Sequence, residues 1–302
     1  MCGIAGIFAY KDSADAVVRA ELLAIRDHMA ARGPDGMGEW ESSDHRIALA
    51  HRRLSIIDLS SAAAQPMSSP DGKLVITFNG EIYNYREMRR TLESAGRVFR
   101  THSDTEVLLH LYAEQGPAMV HALRGMFAFV IWDAERRRLF MARDPYGIKP
   151  LYYSDVDGTL RFASQVKALL AGGGISTEHD PAGQVGFYLW GSVPEPFTLY
   201  RDIRALPAGS TLTTDAKGVT ERKVYHSIAQ VYADAENQGS PRTPADARQI
   251  IRDALLESVR HPLVADVPVG AFLSAGIDSG ALVGLMRDAS PAAHLPGSRI
   301  LS

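Results

Sequence analysis

Cysteine occurs once in this sequence, at position 2, directly after the first methionine. Methionine before a small side chain is usually removed, and its removal would leave Cys2 with a free α-amino group. The amine could then take the thiol proton directly or through one water, which is how an N-terminal nucleophile is activated. An ordinary α-amino pKa of about 7.7–8.0 makes this base useful near neutral pH. The alternative interpretation is that Cys2 is a small buried apolar residue.

The composition is that of an ordinary globular protein, with 46% hydrophobic residues and a net charge of −3. Its 302 residues suggest about two domains. The sequence contains no basic run that would indicate nucleic acid, no secretory signal and no apolar stretch of about 20 residues. One cysteine allows neither an internal disulfide nor a cysteine metal cluster. We therefore expect a cytoplasmic protein with no metal site and no nucleic-acid or membrane partner.

Apolar runs and helical periodicity predict helices packed on antiparallel sheet over the first two thirds of the chain. Strands are expected at 3–9, 47–51, 74–78, 126–132, 138–143, 151–153 and 160–162. One helix should begin with a cap at Ser13 or Asp15 and run to Ala31, and another should run from Tyr85 to Ala95. A third helix should open on a capping box at Ser103–Glu106 and end at Gly116.

The last quarter of the chain has a different pattern. A polar stretch without periodicity, 226–245, is interpreted as a linker, and the periodicity of 246–260 predicts a helix. A strand at 267–273 should then lead through a loop of small residues, 274–280, into a helix at 281–287. The backbone N–H groups and dipole of such a helix start suit a phosphate, although an ordinary strand-to-helix turn is an equally good interpretation of this loop.

A thiol that attacks an amide produces an oxyanion, which needs fixed hydrogen-bond donors. Asn79 and Gly80, expected at a strand end, offer a side-chain amide and a backbone N–H. An Asn-Gly pair is also the strongest short turn signal, and taken alone the turn would be preferred.

If the amide belongs to a free amino acid, its carboxylate needs a cation and its ammonium needs an anion. Arg53 could bind a carboxylate with two hydrogen bonds, but neighbouring Arg52 offers the same chemistry. Asp104 could bind the ammonium, although an acidic residue early in a helix is also explained by the helix dipole. Glu81 follows Gly80 directly and is otherwise a solvated charge.

Several ordered motifs together resemble the class II glutamine amidotransferase domain, namely Cys2–Gly6, Arg32–Asp35, His51–Ile57, Asn79–Asn84, Ser103–Glu106, Gly125–Phe129 and Arg143–Leu151. With Leu273–Ser279 behind them, the chain resembles the glutamine-hydrolysing asparagine synthetase family. The resemblance implies an α+β fold, an N-terminal-nucleophile four-layer αββα sandwich, followed by a truncated α/β nucleotide-binding (PP-loop) segment. The implied domains are 1–225 for the glutamine amidotransferase and 246–302 for an incomplete ATP-binding domain, with 226–245 as the linker.

The resemblance also implies roles for individual residues. Cys2 would be the nucleophile, and Asn79 and Gly80 would form the oxyanion hole. The family motif His-any-Arg-Leu selects Arg53 over Arg52 as the carboxylate ligand. The glutamine site as a whole would comprise Arg53, Ile57, Asn79, Gly80, Glu81 and Asp104. The ATP site would comprise Leu273, Ser274, Ala275, Gly276, Asp278 and Ser279.

The function implied is glutamine-dependent asparagine synthesis, in which ammonia reaches aspartate activated by ATP with Mg²⁺. Glutamine hydrolysis itself would need no cofactor, and the partners would be small molecules, with a homodimer left open. Two residues depart from the family pattern: Ala275 replaces a glycine, and Gln165 stands where glutamate is more frequent. The chain also ends after one strand–loop–helix unit. We therefore expect a truncated product that keeps only the glutaminase half-reaction.

Two alternatives to this function stay open. One is a class II amidotransferase with a different acceptor, and the other is a non-catalytic module that binds glutamine. Retention of Met1 would block the amine of Cys2 and favour the second alternative.

Overall fold

The computed structural model describes residues 1–238 and 243–289, which fall into two compact units. The first unit comprises Met1–Ser55 and Ser60–Ser227. The second unit comprises the short segment Ile56–Leu59 and the chain from Ile228 onward. Within the described residues, none of the helices has both the length and the apolar character that crossing a membrane requires.

The first unit contains two antiparallel sheets. Its strands in the described residues are β1 Gly3–Ala9, β2 Gly36–Glu41, β3 Ile47–Arg53, β4 Met67–Ser68, β5 Leu74–Ile82, β6 Gly125–Asp133, β7 Arg138–Arg143, β8 Tyr152–Val156, β9 Thr159–Ala163, β10 Arg204–Ala205, β11 Ser210–Asp215 and β12 Gly218–Val224. One sheet has the strand order β10-β8-β9-β1-β3-β2, and the other has the order β12-β11-β7-β6-β5-β4.

Both units contain helices. In the first unit they are α1 Arg19–His28, α2 Tyr85–Ser94, α3 Asp104–Gln115, α4 Val166–Ala171 and α5 Pro181–Trp190. In the described part of the second unit they are α6 Ile228–Gln238, α7 Pro244–Arg260 and α8 Ile277–Ala289.

The two sheets of the first unit pack face to face, as the predicted αββα sandwich requires. Side chains of both sheets share one buried core, to which Ile4, Leu49 and Phe162 contribute from one sheet and Val130 and Met141 from the other. The opposite face of the first sheet packs on α1 and α4. Helix α3 covers the second sheet at β5, so the order of layers is helix, sheet, sheet, helix.

Alternating side chains explain why β1 is apolar along its whole length. Ile4 and Phe8 lie in the core between the sheets, whereas Ala5 and Ile7 lie in the core under α1. A strand with both faces buried reads as a continuous apolar run rather than as an alternating one. The predicted strand 3–9 is therefore confirmed, and Cys2 lies immediately before it.

Two local predictions for the first unit were wrong, and several of its elements were not predicted. Strands β2, β4, β10, β11 and β12 and helices α4 and α5 were not predicted. Helix α1 begins after Val18 without a side-chain cap, so neither Ser13 nor Asp15 caps it. The capping box at Ser103–Glu106 forms only in part: Ser103 accepts the N–H of Thr105, but the Glu106 carboxylate binds the preceding loop.

A further correction bears on the site. Asn79 and Gly80 do not end the strand, because β5 continues to Ile82. Both residues pair with β6, Asn79 opposite Ala128 and Gly80 opposite Phe127. The turn that an Asn-Gly pair favours is overridden here by pairing with the neighbouring strand.

The second unit differs from its prediction at three places, one of which is that α8 begins at Ile277 within the predicted loop 274–280. The polar stretch interpreted as a linker contains α6, whose side chains are largely exposed, which explains why it lacked an apolar stripe. The predicted strand 267–273 is not formed: only Gly270 makes a bridge there, and the side chains of Phe272 and Leu273 are exposed. A strand requires continuous pairing with a neighbour, and this described segment has none.

The core between the sheets should dominate the stability of the first unit. Leu49 is fully buried at the centre of this core. Leu49→Ala should lower the free energy of unfolding by about 2–5 kcal/mol, because it leaves a cavity that close-packed sheets cannot fill. Val98→Ala, at a side chain that is 77% exposed, is the control and should change it by less than about 0.5 kcal/mol. Urea unfolding measures both; equal effects would contradict this description of the core.

Candidate active site

The thiol of Cys2 is held at the start of β1 by the residue that follows β3. The Leu54 N–H donates to Cys2 Sγ at 3.3 Å, and the thiol donates to the Leu54 carbonyl at 3.5 Å. On the other side, Arg32 Nε donates to the Cys2 carbonyl at 3.0 Å. Pairing of Gly3 with Arg52 continues this arrangement into the sheet. The sulfur atom is therefore held by the backbone of Leu54, and the Cys2 carbonyl is held by the side chain of Arg32.

Burial and nearby charges act in opposite directions on the protonation of Cys2. Burial raises the pKa of the thiol, whereas the Leu54 N–H and the positive charges of the N-terminus, Lys149 and Arg53 oppose the rise. The chain begins here with Met1, and burial lowers the pKa of its terminal amine. A lowered amine pKa favours the neutral form, which is the form that can accept a proton.

Two hydrogen bonds between the sheets place β5 next to Cys2. Thr77 Oγ1 donates to the Ala50 carbonyl at 3.1 Å, and His51 Nε2 lies 3.0 Å from the Phe78 carbonyl. From the first contact to the second, the chain moves forward by one residue on both strands, from Ala50 to His51 on β3 and from Thr77 to Phe78 on β5. The next residues of β5, beginning with Asn79, therefore continue toward the end of β3, where Leu54 holds Cys2.

Asn79 carries an unused donor in a buried position. Its side chain is 1% exposed, and its Nδ2 atom has no hydrogen-bond partner among the described residues. Leaving a buried amide N–H unpaired costs about 1–3 kcal/mol, so such a group points to a bound partner. Gly80, beside it, cannot carry a side chain, because a Cβ would lie 2.3 Å from the Met126 carbonyl oxygen.

Two buried carboxyl groups lie just beyond Asn79. Asp104 Oδ2 accepts the Ile82 N–H at 3.0 Å, which ties the first residue of α3 to the end of β5. Burial raises the pKa of Asp104 to about 7, against the Ile82 hydrogen bond and with help from the charge of Glu81. Burial also raises the pKa of Glu81, whereas Lys149 and the N-terminus oppose this rise. Two buried carboxyl groups that repel each other would gain from a cationic ligand.

The two arginines at the end of β3 are distinguished by strand alternation. Arg52 points to the helix layer, where its guanidinium lies 2.5 Å from Asp27 of α1. Arg53 points the other way: its Nη1 donates to the Ser60 carbonyl at 2.9 Å, and its charge acts on Cys2. Arg53 is thus the arginine on the side of the thiol.

Sequence reasoning missed Lys149, which the structure brings to this site. The side chain is 6% exposed, and its ammonium interacts electrostatically with Glu81 and Cys2. Lys149 lies within the motif Arg143–Leu151, but a lysine between isoleucine and proline forms no local pattern that would indicate a role in a site.

The remaining predicted residues, which are Ile57 and the residues of the predicted ATP site, lie in the second unit. Ile57 belongs to the segment Ile56–Leu59, where the Ile56 carbonyl accepts the N–H of Asp266 at 2.9 Å. Of the residues predicted to bind ATP, Leu273, Ser274, Ala275 and Gly276 form an exposed loop, and Asp278 and Ser279 lie in the first turn of α8. The hydroxyls of Ser274 and Ser279 lie 2.9 Å apart. Ala275 does not adopt a positive φ, so its methyl group introduces no left-handed strain.

The raised pKa of Asp104 makes the stability of the protein depend on pH. The folded state binds a proton at Asp104 more readily than the unfolded chain, whose aspartates have ordinary pKa values. The stability contributed by this proton is complete below about pH 4 and is lost as the pH rises to about 7. Asp104→Asn keeps an acceptor for Ile82 but cannot ionise.

The Tm of Asp104→Asn minus the Tm of wild type should therefore be larger at about pH 8 than at about pH 5. Asp12→Asn, at an exposed position, is the control. A difference in Tm that is the same at both pH values would show that Asp104 does not titrate in this range.

Comparison with known proteins agrees with this geometry. The family profile described as glutamine amidotransferase domain matches residues 1–226, and the one described as asparagine synthase matches residues 250–298. A Bacillus subtilis (strain 168) protein named glutamine-hydrolyzing asparagine synthetase 1 is 38% identical over 292 residues, which cover 96% of this chain and 44% of that protein. Amidase chry2 of Gibberella zeae is 33% identical over 95% of this chain and 43% of that protein. The chain thus spans less than half the length of these relatives.

Solved structures support the fold. Glutamine phosphoribosylpyrophosphate amidotransferase from B. subtilis is similar over 95% of this chain and 64% of its own, with a TM-score of 0.56 at 18% identity. A structure described as the allosteric regulatory enzyme of purine biosynthesis covers 75% of this chain and 49% of its own, with a TM-score of 0.55 at 21% identity. This likeness confirms the predicted four-layer αββα sandwich. The chain therefore belongs to the glutamine amidotransferase family, and over most of its length it resembles the glutamine-hydrolysing asparagine synthetases.

Proposed function

We propose that this chain hydrolyses glutamine to glutamate and ammonia, with Cys2 as the nucleophile after removal of Met1. The observation that carries the proposal is the buried, unpartnered amide nitrogen of Asn79, positioned by the contacts between the sheets toward the end of β3 that holds the thiol. Family membership supports glutamine as the amide donor.

The proposed reaction begins when the Cys2 amine takes the thiol proton and Sγ attacks the side-chain carbonyl carbon of glutamine. The carbonyl oxygen becomes an oxyanion, which the Asn79 amide and the Gly80 N–H stabilise. The same amine then returns the proton to the leaving nitrogen, the C–N bond breaks, and ammonia and a thioester remain. Water attacks the thioester, which releases glutamate and restores the thiol.

The substrate itself would be held by charge at both ends of its backbone. Arg53 would bind the α-carboxylate, and Glu81 and Asp104 would bind the α-ammonium. The raised pKa values of both acids support this assignment, because a bound ammonium would stabilise their ionised forms.

We further propose that the ammonia serves asparagine synthesis from aspartate activated by ATP. The loop Leu273–Ser279, with Ser274, Ala275, Gly276, Asp278 and Ser279, would bind the pyrophosphate at the start of α8. Asp278 lies in the first turn of that helix, so Mg²⁺ would have to accompany the phosphates there. For this chain by itself we propose only the glutaminase half-reaction, because the described segment 267–273 does not build a sheet.

Two other functions are distinguished by experiment. One alternative is an amidotransferase with a different acceptor, since one relative does not carry the name asparagine synthetase. It would release ammonia from glutamine equally well but would not form asparagine. A non-catalytic module would bind glutamine without releasing glutamate.

Glutamate release from glutamine in the absence of ATP tests the proposal directly. Wild type should turn over, Cys2→Ala should not, and Asn79→Ala should lower kcat by about 10²–10³-fold through loss of an oxyanion donor. Asn237→Ala, at an exposed position on α6, is the control. Intact mass must show that Met1 has been removed. Turnover by Cys2→Ala equal to wild type would reject the proposal.

The assignment of Arg53 is tested by a matched pair of variants. Arg53→Lys should raise KM for glutamine by about 10–100-fold, because lysine cannot form the paired hydrogen bonds to a carboxylate. Arg52→Lys keeps a charge for Asp27 and should leave KM within about twofold of wild type. Steady-state kinetics of glutamate release measure both, and a reversed order of the two effects would contradict the assignment.

A further inference from the structure

The loop that carries Lys149 is fixed by two buried side chains of its own. Asp144 is fully buried, and its carboxylate accepts the N–H groups of Tyr146 and Ile148 at 3.0 Å and that of Lys149 at 2.9 Å. It also accepts the N–H of Phe127 from β6 at 3.2 Å. One carboxylate therefore determines the path of the loop relative to the second sheet.

Arg143 fixes the same loop from the opposite side. Its Nε donates to the Lys149 carbonyl and its Nη2 to the Gly147 carbonyl, both at 2.8 Å. Its Nη1 lies 2.8 Å from Glu195 and also donates to the Leu206 carbonyl. A loop with this many charge-assisted hydrogen bonds presents the next side chain in a defined place.

The ammonium of Lys149 is available to the site rather than used by the fold. In the part of the chain that the structure describes, its hydrogen bonds are made by the backbone N–H and carbonyl, and no ion pair holds its Nζ atom. The charged and titratable groups that act on it are Glu81 of β5, Cys2 at the start of β1, the N-terminal amine, Arg32 after α1, and Asp144 in its own loop. A buried cation that forms no ion pair lowers the stability of the folded state, unless negative charge nearby stabilises the cation.

We propose that Lys149 is a positioning residue for glutamine hydrolysis, whose ammonium favours the thiolate form of Cys2 and the carboxylate form of Glu81. The inference rests on the proposed function, because it takes Cys2 as the nucleophile and Glu81 as a ligand of the substrate ammonium. It adds a residue whose charge acts on both groups from a loop that Asp144 and Arg143 hold in place.

Alkylation of Cys2 by iodoacetamide tests this inference without any turnover, since the protein has no other cysteine. Only the thiolate reacts, so the dependence of the alkylation rate on pH reports the ionisation of Cys2. Lys149→Met should shift this pH profile to higher pH and slow alkylation at neutral pH by about three- to tenfold. Lys149→Arg should restore the wild-type profile. Lys217→Met, at an exposed position, is the control.

A structural role alone would lower the rate at every pH without moving the profile. A Lys149→Met profile that coincides with wild type, or a Lys149→Arg profile that coincides with Lys149→Met, overturns the inference. If circular dichroism shows that Lys149→Met is unfolded, Lys149→Gln carries the same comparison.

Glutamate release by wild type is measured in parallel. Its absence would count against the proposed function, whereas the alkylation profiles would still decide the role of Lys149. Where wild type turns over, the acidic limb of its kcat/KM profile should also move to higher pH in Lys149→Met, because Glu81 would lose its counter-charge. An unmoved acidic limb contradicts the part of the inference that concerns Glu81.

Discussion

Contact between the two sheets at one end of the sandwich is the constraint on which the site depends. His51 and Thr77 link β3 to β5, and Leu54, just beyond β3, binds the sulfur of Cys2. The start of β1, the end of β3 and the second half of β5 are therefore brought together although they are distant in sequence. Because the linking groups are backbone carbonyls and buried side chains, the geometry exists before any ligand binds, which is what stabilisation of a developing charge requires.

The electrostatics of the site reflect its burial. Glu81 and Asp104 have raised pKa values, and Lys149 has a lowered one, because burial disfavours the charged form of each. Burying such groups lowers the free energy of unfolding, and a ligand charge of opposite sign would stabilise their ionised forms. The proposed glutamine site combines the cation of Arg53 with two acids, which is the charge pattern that an amino acid in its zwitterionic form requires.

Local patterns predicted the framework better than the site. The strands β1, β6 and β7 follow from continuous apolar runs, and all three are confirmed. Asn79 was predicted at a turn because the strand pairing that overrides the turn comes from residues about 50 positions later. Arg52 and Arg53 could be distinguished only by the family motif, because the sequence does not show which face of β3 meets the second sheet. Lys149 depends on a loop held by side-chain contacts that no local pattern encodes.

The most direct test of the account is covalent labelling with a glutamine analogue that carries an electrophilic side chain, followed by mapping of the adduct by mass spectrometry. The account predicts a single adduct on the sulfur of Cys2, prevented by excess glutamine and formed far more slowly when Asn79 is replaced by alanine. Labelling at another residue, or labelling of Cys2 that glutamine does not prevent, would contradict the claim that this thiol faces a glutamine site.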